Sequence, residues 1–377
     1  MIASPEGVLL VTLTRRGDEL AGVAIHSTRP HLADKLLHGH DPGDAAHRIG
    51  LIFSLCGRAQ RVACEAACAV ASGAKPARQE EHERAILLEM AREHAWRLLV
   101  DWPEQAGQAP DRDGLARLNQ TLVKAPERFA EALEACLNVS LLGEAPQTWL
   151  ARDLAGFEAW RGRGATRTAA LFGGLPETNL SVDCPLLPGL GDLDEASVRE
   201  LARLALENHG FAARPLWHGN PAETGALARR HATPLLAEWL ARHGRGVGAR
   251  MLARLYELAI IPARLRGAGS GDLLRAWCIA PGTGVAAVET SRGLLLHVAR
   301  LESGKIADYR IVAPTEWNFH PAGPLFQALA GLPAAGDLAA RARLLAQSLD
   351  PCVDYQVEVR DEPPAPQASR STGSSHA

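Results

Sequence analysis

The chain has 377 residues, 47% of them hydrophobic, and its 40 Lys and Arg nearly balance 43 Asp and Glu, leaving a net charge of −3. That is enough apolar material for a large core or for two or three packed lobes. The charge balance excludes an electrostatic footprint for nucleic acid or an anionic membrane, and 5% aromatic residues are too few for a base-stacking surface. Seven cysteines stand at 56, 64, 68, 136, 184, 278 and 352, an odd and irregular set without a CxxC. This pattern excludes a disulfide scaffold and fits a reducing compartment. The opening MIASPEGVLLVTLTRRGDE has no basic segment followed by a sustained apolar one, and no apolar run is long enough to span a bilayer. A soluble, cytoplasmic protein is expected.

In chain order, residues 8–14 (VLLVTLT) and 20–25 (LAGVAI) flank the turn RRGD and predict a hairpin. A short helix is expected over 31–38, and Asp44 is placed to cap another over 45–52. Residues 51–71 are helical in pattern and almost uniformly small or apolar, as in a helix central to a core. Further helices are expected at 80–102, 115–142 (one or two), 149–171, 195–208, from 226, 234–243 and 247–265. The Gly- and Pro-rich residues 172–191 read as a loop, and 267–271 as a turn. Strands are expected at 284–289, 294–301 and 306–312, with Ser303-Gly304 as a hairpin turn. Helices at 325–329 and 338–349, an extended 350–359 and a disordered Pro/Ser-rich tail from 361 to 377 complete the chain. No internal repeat is visible.

Residues 51–60 (LIFSLCGRAQ) place Cys56 before a glycine at the entry to a helix that adds Cys64 and Cys68 at i and i+4. A thiol at a helix N-terminus ionises more easily than a free one, which makes Cys56 a candidate reactive or ligating thiol. The other reading is a small buried hydrophobe. Cys352, in Asp350-Pro351-Cys352, is the second thiol in an unusual setting.

Six segments taken together resemble the large subunit of nickel–iron hydrogenases. Residues 39–45 (GHDPGDA) resemble G-R-D-P-R-D-A, and 51–60 occupy the frame of R-I-C-G-V-C-x-x-x-H. Residues 221–229 (PAETGALAR) resemble P-x-E-x-G-x-L-A-R, and 287–297 (AVETSRGLLLH) resemble A-V-E-A-P-R-G-L-L-G-H. Residues 312–318 (VAPTEWN) and 350–358 (DPCVDYQVE) resemble V-V-P-S-T-W-N and D-P-C-x-x-C-x-x-H.

The resemblance implies a mainly α, α+β fold: a central antiparallel helix bundle with peripheral β-hairpins over residues 1–360. It also implies which parts of the metal site are gone. Phe53 and Tyr355 stand where two of the four thiolates belong, and Gln60 and Glu358 replace the closing histidines. Cys56 remains at a bridging-thiolate position and Cys352 at a terminal nickel-thiolate position. Nickel needs soft thiolate donors, so no complete nickel site and no hydrogenase activity are expected. Arg292 and Thr315 match the residues that hydrogen-bond the two cyanides, Pro314 also matches, Ser291 replaces a proline, and Leu295 matches the apolar wall of the carbonyl pocket.

Such a chain resembles the HupK/HoxV-type hydrogenase maturation proteins. The implied function is non-enzymatic: a scaffold that binds an Fe(CN)2CO unit transiently through Cys56 and Cys352, with Arg292 and Thr315 on the cyanides. HypC-type and HypD-type carriers and the hydrogenase large subunit are the implied partners. The absence of a C-terminal extension after a closing histidine agrees with this. Glu6-Gly7 matches the glutamate of a structural magnesium site whose histidine is here Glu358, so the match is partial. The rival readings are a large-subunit mimic that never touches iron and a cysteine-depleted, quinone-site relative of the complex I type. Cys64 and Cys68 are either auxiliary ligands or core residues, and no histidine is expected to be a ligand. Arg292 is also a candidate for pairing with a buried carboxylate such as Asp350, a pairing compatible with holding the cyanides rather than an alternative to it.

Overall fold

The computed structural model of the protein describes residues 7–53, 55–175, 182–267 and 272–362. Glu6, most of the 267–271 turn and residues 363–377 of the expected tail lie outside them. Strands β1 (Val8–Arg16) and β2 (Glu19–Ser27) form the expected antiparallel hairpin. Leu9, Val11 and Leu13 of β1 are buried while the intervening residues are less so, as a strand covered on one face requires. The free edge of β1 pairs in parallel with the chain's last strand, which runs over Asp354–Asp361 and includes the first residue of the expected tail.

Helix α1 (Ala33–Leu37) is followed by α2 (Pro42–Ile52) and α3 (Gly57–Ala71). The uniform pattern over 51–71 predicts one helix, but the chain breaks at Phe53, whose extended backbone turns it before α3 starts. The two helices meet at a pair of glycines: a Cβ on Gly57 would lie 2.7 Å from the Gly50 carbonyl oxygen. Helix α4 (Gln79–Trp96) runs through a π turn (Arg97–Asp101) into α5 (Trp102–Gln105). The expected 115–142 helix is divided into α6 (Arg112–Lys124) and α7 (Phe129–Cys136) at Pro126, which has no N–H to continue the ladder.

Helices α8 (Pro146–Leu150), α9 (Leu154–Arg163) and α10 (Arg167–Gly174) replace the single helix expected over 149–171. Gly164, at φ 57°, ends α9 in the left-handed conformation that glycine tolerates best. Then come α11 (Glu195–Glu207), α12 (Ala226–Arg230), α13 (Pro234–His243) and the long α14 (Val247–Leu265), which is buried on nearly every side.

A four-stranded antiparallel sheet follows: β3 (Leu274–Ala280), β4 (Thr283–Thr290), β5 (Gly293–Glu302) and β6 (Lys305–Val312), in that order. β3 is a strand the sequence reading missed. It is a half-exposed edge with Trp277 and Cys278 in place of clean alternation. All of β4 is buried. Its alternate residues enter two cores: Ala286 and Val288 face the main helical core, while Val285 and Ala287 face a smaller one with Leu201 of α11 and Trp317. Helix α3 lies directly on β4, which explains its run of alanines and cysteines: nothing larger fits. α15 (Pro314–Asn318), α16 (Pro324–Ala330), α17 (Leu338–Ser348) and β7 (Asp354–Asp361) complete the described fold. Among the described residues no helix is long and apolar enough to cross a membrane.

Candidate metal-binding site

The four residues singled out by sequence come from four distant parts of the chain and line one cavity. Cys56 occupies the N-cap position of α3, and Arg292 the turn between β4 and β5. Thr315 lies in the first turn of α15, and Cys352 two residues before β7. Leu295 lines the same cavity, as do Gln60, Pro314 and Arg29. At about 10 Å³ the cavity has room for a single water.

Arg292 is 2% exposed. Its Nη2 donates to Glu93 Oε2 at 3.0 Å and lies 3.5 Å from Asp350 Oδ1, so the carboxylate pairing expected for it exists, with Glu93 as the nearer partner. Its Nε and Nη1 are buried and have no hydrogen-bond partner. Two unpaired guanidinium donors in a low-dielectric interior carry a large desolvation cost, and such groups call for a ligand or a water.

Asp350 is the anchor beneath the site. It is fully buried, accepts from Arg97 Nε at 2.7 Å and from Arg254 Nη1 at 2.9 Å, and faces Arg292. Burial alone would raise its pKa, but Arg292, Arg97 and Arg254 outweigh burial and hold it well below the usual carboxylate range. Its backbone is left-handed at φ 58°, a conformation that aspartate tolerates better than most residues. Arg97 reaches it from the π turn that continues α4, an irregularity common at functional positions.

Cys56 departs from expectation. The helix N-terminus does not ease its ionisation; burial pushes the thiol up to about 12, and the charges of Cys352 and Glu89 add to that. Burial is the main cause, and the helix end cannot offset it. Glu89 of α4 accepts from the backbone N–H groups of Arg58 and Ala59, each at 3.1 Å, so a carboxylate already occupies the positive end of α3. Deprotonation of Cys56 therefore needs a stronger partner than the helix, such as a metal ion.

Sequence reasoning missed Arg29, which belongs to no motif. Its Nη1 donates to Thr315 Oγ1 at 2.7 Å and to Cys352 Sγ at 3.1 Å. The guanidinium also lies 5.6 Å from the centroid of the Phe53 ring and 3.7 Å from Glu316. Phe53 is thus a platform for the Arg29 cation. Beyond Arg29 lies an apolar groove of about 220 Å³, lined by Leu32, Leu36, Ile52 and Phe53, that also reaches Cys56 and Cys352.

Burial pushes Glu316 up to about 7, with Arg29 pulling the other way. A carboxyl raised in the folded state binds its proton more tightly there than in the unfolded chain. Its contribution to stability is therefore full below the unfolded pKa of about 4.3 and is lost as pH rises through about 7. At 1.36 kcal/mol per pKa unit, the full loss is about 4 kcal/mol, of which about 3 kcal/mol falls between pH 5 and pH 8. Urea unfolding at pH 5 and pH 8 is expected to show this slope in the wild type, flattened in Glu316→Gln.

The other sequence candidates lie elsewhere. Cys64 and Cys68 are buried core residues that do not line the cavity. Cys184 is buried, Cys136 partly buried, and Cys278 exposed. Tyr355 packs against the core from β7, and Glu358 is on its exposed side, paired with Arg360. Among the described residues no group of three or more His, Cys, Asp and Glu is placed to hold a metal ion.

The family model for nickel-dependent hydrogenases matches residues 274–357, which carry Arg292, Thr315 and Cys352. Over nearly the whole chain, the hydrogenase expression/formation protein HoxV of Cupriavidus necator is 33% identical, covering 92% of this chain and 94% of its own. HupK of Rhizobium leguminosarum, with the same description, is 33% identical over 90% of this chain and 93% of its own. The chain belongs to the HoxV/HupK family of hydrogenase expression/formation proteins. Solved structures agree on the fold of this HoxV/HupK-family chain. The Ni-Fe-Se hydrogenase of Desulfovibrio vulgaris Hildenborough matches with a TM-score of 0.57 at 17% identity, covering 89% of this chain and 94% of that one. The enzyme of Desulfomicrobium baculatum gives 0.57 at 15% identity, with 90% and 95% covered. The expected hydrogenase large-subunit-like fold is therefore present.

Proposed function

We propose that this HoxV/HupK-family chain acts in hydrogenase maturation as a non-catalytic scaffold for the Fe(CN)2CO unit of the nickel–iron site. The observation that carries this reading is the pair of unpartnered, buried Arg292 donors in a cavity shared with Cys56, Cys352 and Thr315. Cyanide is a strong anionic acceptor, and a guanidinium and a hydroxyl are matching donors. Thr315 accepts from Arg29 and lies 3.4 Å from Cys352 Sγ; once that sulfur is on the metal, the hydroxyl proton can turn to cyanide. Cys56 and Cys352 supply thiolates to iron once a metal displaces their protons.

The donor set does not suit nickel. Two thiols remain, and Arg29 stacked on Phe53 stands beside Cys352 where further soft ligands would be needed. The cavity takes one water, so loading requires Arg29 to yield its place between Cys352 and Thr315. The apolar groove outside Arg29 is the approach this reading gives to a carrier. HypC-type and HypD-type carriers are the proposed donors of the unit, and the hydrogenase large subunit is its recipient.

The test is infrared spectroscopy of the protein purified with the maturation machinery present. Wild type is expected to show cyanide and carbonyl stretching bands, and Cys56→Ala to lose them. Arg292→Ala should shift the cyanide bands more than the carbonyl band. A wild type without bands, under conditions where the carrier shows them, sinks the scaffold. A second reading, a large-subunit mimic that carries no iron, is favoured by the tightness of the cavity. It is supported if a band-free protein with Cys56→Ala still sustains hydrogenase maturation in cells.

A further inference from the structure

Three buried polar side chains line up behind Cys56, starting from Gln60 at the cavity wall. Gln60 of α3 is 1% exposed, and His297 of β5 and Tyr309 of β6 are both 0%. They lie where α3 packs on the sheet, among alanines and aliphatic residues. Polar groups buried there without partners are costly, so their pairing needs a reason.

The pairing is a continuous chain. Gln60 Nε2 donates to Cys56 Sγ at 3.6 Å. Gln60 Oε1 is 2.8 Å from His297 Nε2, and His297 Nδ1 is 2.6 Å from the Tyr309 hydroxyl. Burial pulls His297 down to about 3, so the imidazole is neutral and holds one proton. With the Gln60 amide nitrogen on sulfur, its oxygen faces Nε2. An amide oxygen only accepts, so Nε2 carries the proton. Nδ1 is then bare and accepts the Tyr309 O–H. The polarity runs one way, from Tyr309 to an N–H aimed at Cys56.

We infer that Tyr309 and His297 are positioning residues for Cys56: they hold the Gln60 amide as a hydrogen-bond donor to the sulfur that takes the iron unit. This rests on the loading proposed above. Gln60 replaces the histidine that closes the motif it resembles, so this chain retains a donor at that position. An N–H···S bond draws electron density out of a thiolate, and such outer contacts tune the metal a ligand holds. A thiolate that donates less binds iron less firmly, which suits a site that passes its cargo on.

The experiment is infrared spectroscopy of the full chain purified with the maturation machinery. Gln60→Leu removes the donor, the thiolate pushes more density onto iron, and back-donation into the carbonyl grows. Its band is expected to fall in wavenumber by more than its width. Tyr309→Phe, which removes one oxygen at a residue outside the cavity, should move the band in the same direction by less, and Gln60→His should bring it back toward wild type. Packing alone predicts no such ordered shifts. If Gln60→Leu does not fold, Tyr309→Phe decides. Bands at the wild-type position in the folded variants overturn the relay and leave loading standing. A wild type without bands overturns loading, and the relay with it.

Discussion

Replacing Asp350 with asparagine is expected to cost roughly 3–5 kcal/mol, the scale for breaking a buried ion pair from one side. Asn keeps the shape and removes the charge. Arg97, Arg254 and Arg292 all face this carboxylate, so the variant removes the charge that three buried guanidinium groups share. Glu93 remains within reach of Arg292, at 3.0 Å, but the pairings of Arg97 and Arg254 with Asp350 are lost. The loss is read as a fall in the urea midpoint. Asp101→Asn, which removes a partly buried partner of Arg97 but leaves Arg97 its pairing with Asp350, is the control and should cost less than Asp350→Asn. If Asp350→Asn costs no more than that control, the network is not what holds Arg292 in place. The same substitution should also release Cys352, because Asp350 ties the last turn before β7 to α4 and α14.

The second large effect is expected at Gly284→Ala. A Cβ there would lie 2.1 Å from the Ala67 carbonyl oxygen and 2.7 Å from the Ala71 nitrogen. Both are backbone atoms of α3, so no side chain can swing aside; the helix must lift off β4. Overpacking of this kind costs about 1–3 kcal/mol, with more where backbone must move. The displaced helix begins at Cys56, so the variant should lose loading as well as stability. Thermal unfolding alongside the infrared spectrum measures both. Gly173→Ala is the contrast: its nearest atom would be 3.8 Å away, within a helix, and it should be neutral or slightly stabilising. Equal melting temperatures for the two variants would refute the close contact.

The residues of the site were legible because each sits in a short motif with its own chemistry. Cys56, Arg292, Thr315 and Cys352 come together from positions up to 296 residues apart, and no periodicity in the sequence brings them there. The resemblance did, and the structure places them around one cavity. What stayed hidden depends on contacts rather than patterns. Arg29 precedes a proline in an ordinary loop, and only its approach to Thr315 and Cys352 marks it. Glu89 reads as one more polar residue of a long helix until its carboxylate is found on the first turn of α3. That contact adds to the burial that raises the Cys56 thiol against expectation. The fold erred in similar places. Phe53 interrupts a pattern that is apolar on both sides of it, and the hydrophobic signal carries no mark of the break. β3 escaped notice because an edge strand need not alternate.

The parallel pairing of β1 with β7 has a consequence for the order of events during synthesis. Val8 lies opposite Asp354, so the first strand waits for the last before the sheet is complete. A ribosome delivers the chain from its N-terminus. Helices α2 to α14 can pack while Cys352 is still inside the exit tunnel, whereas a contact spanning this much sequence closes late. The thiols of Cys56 and Cys352 therefore come together only after residue 352 has left the ribosome, and on the scaffold reading proposed above a chain that stops short of it offers a carrier half a site.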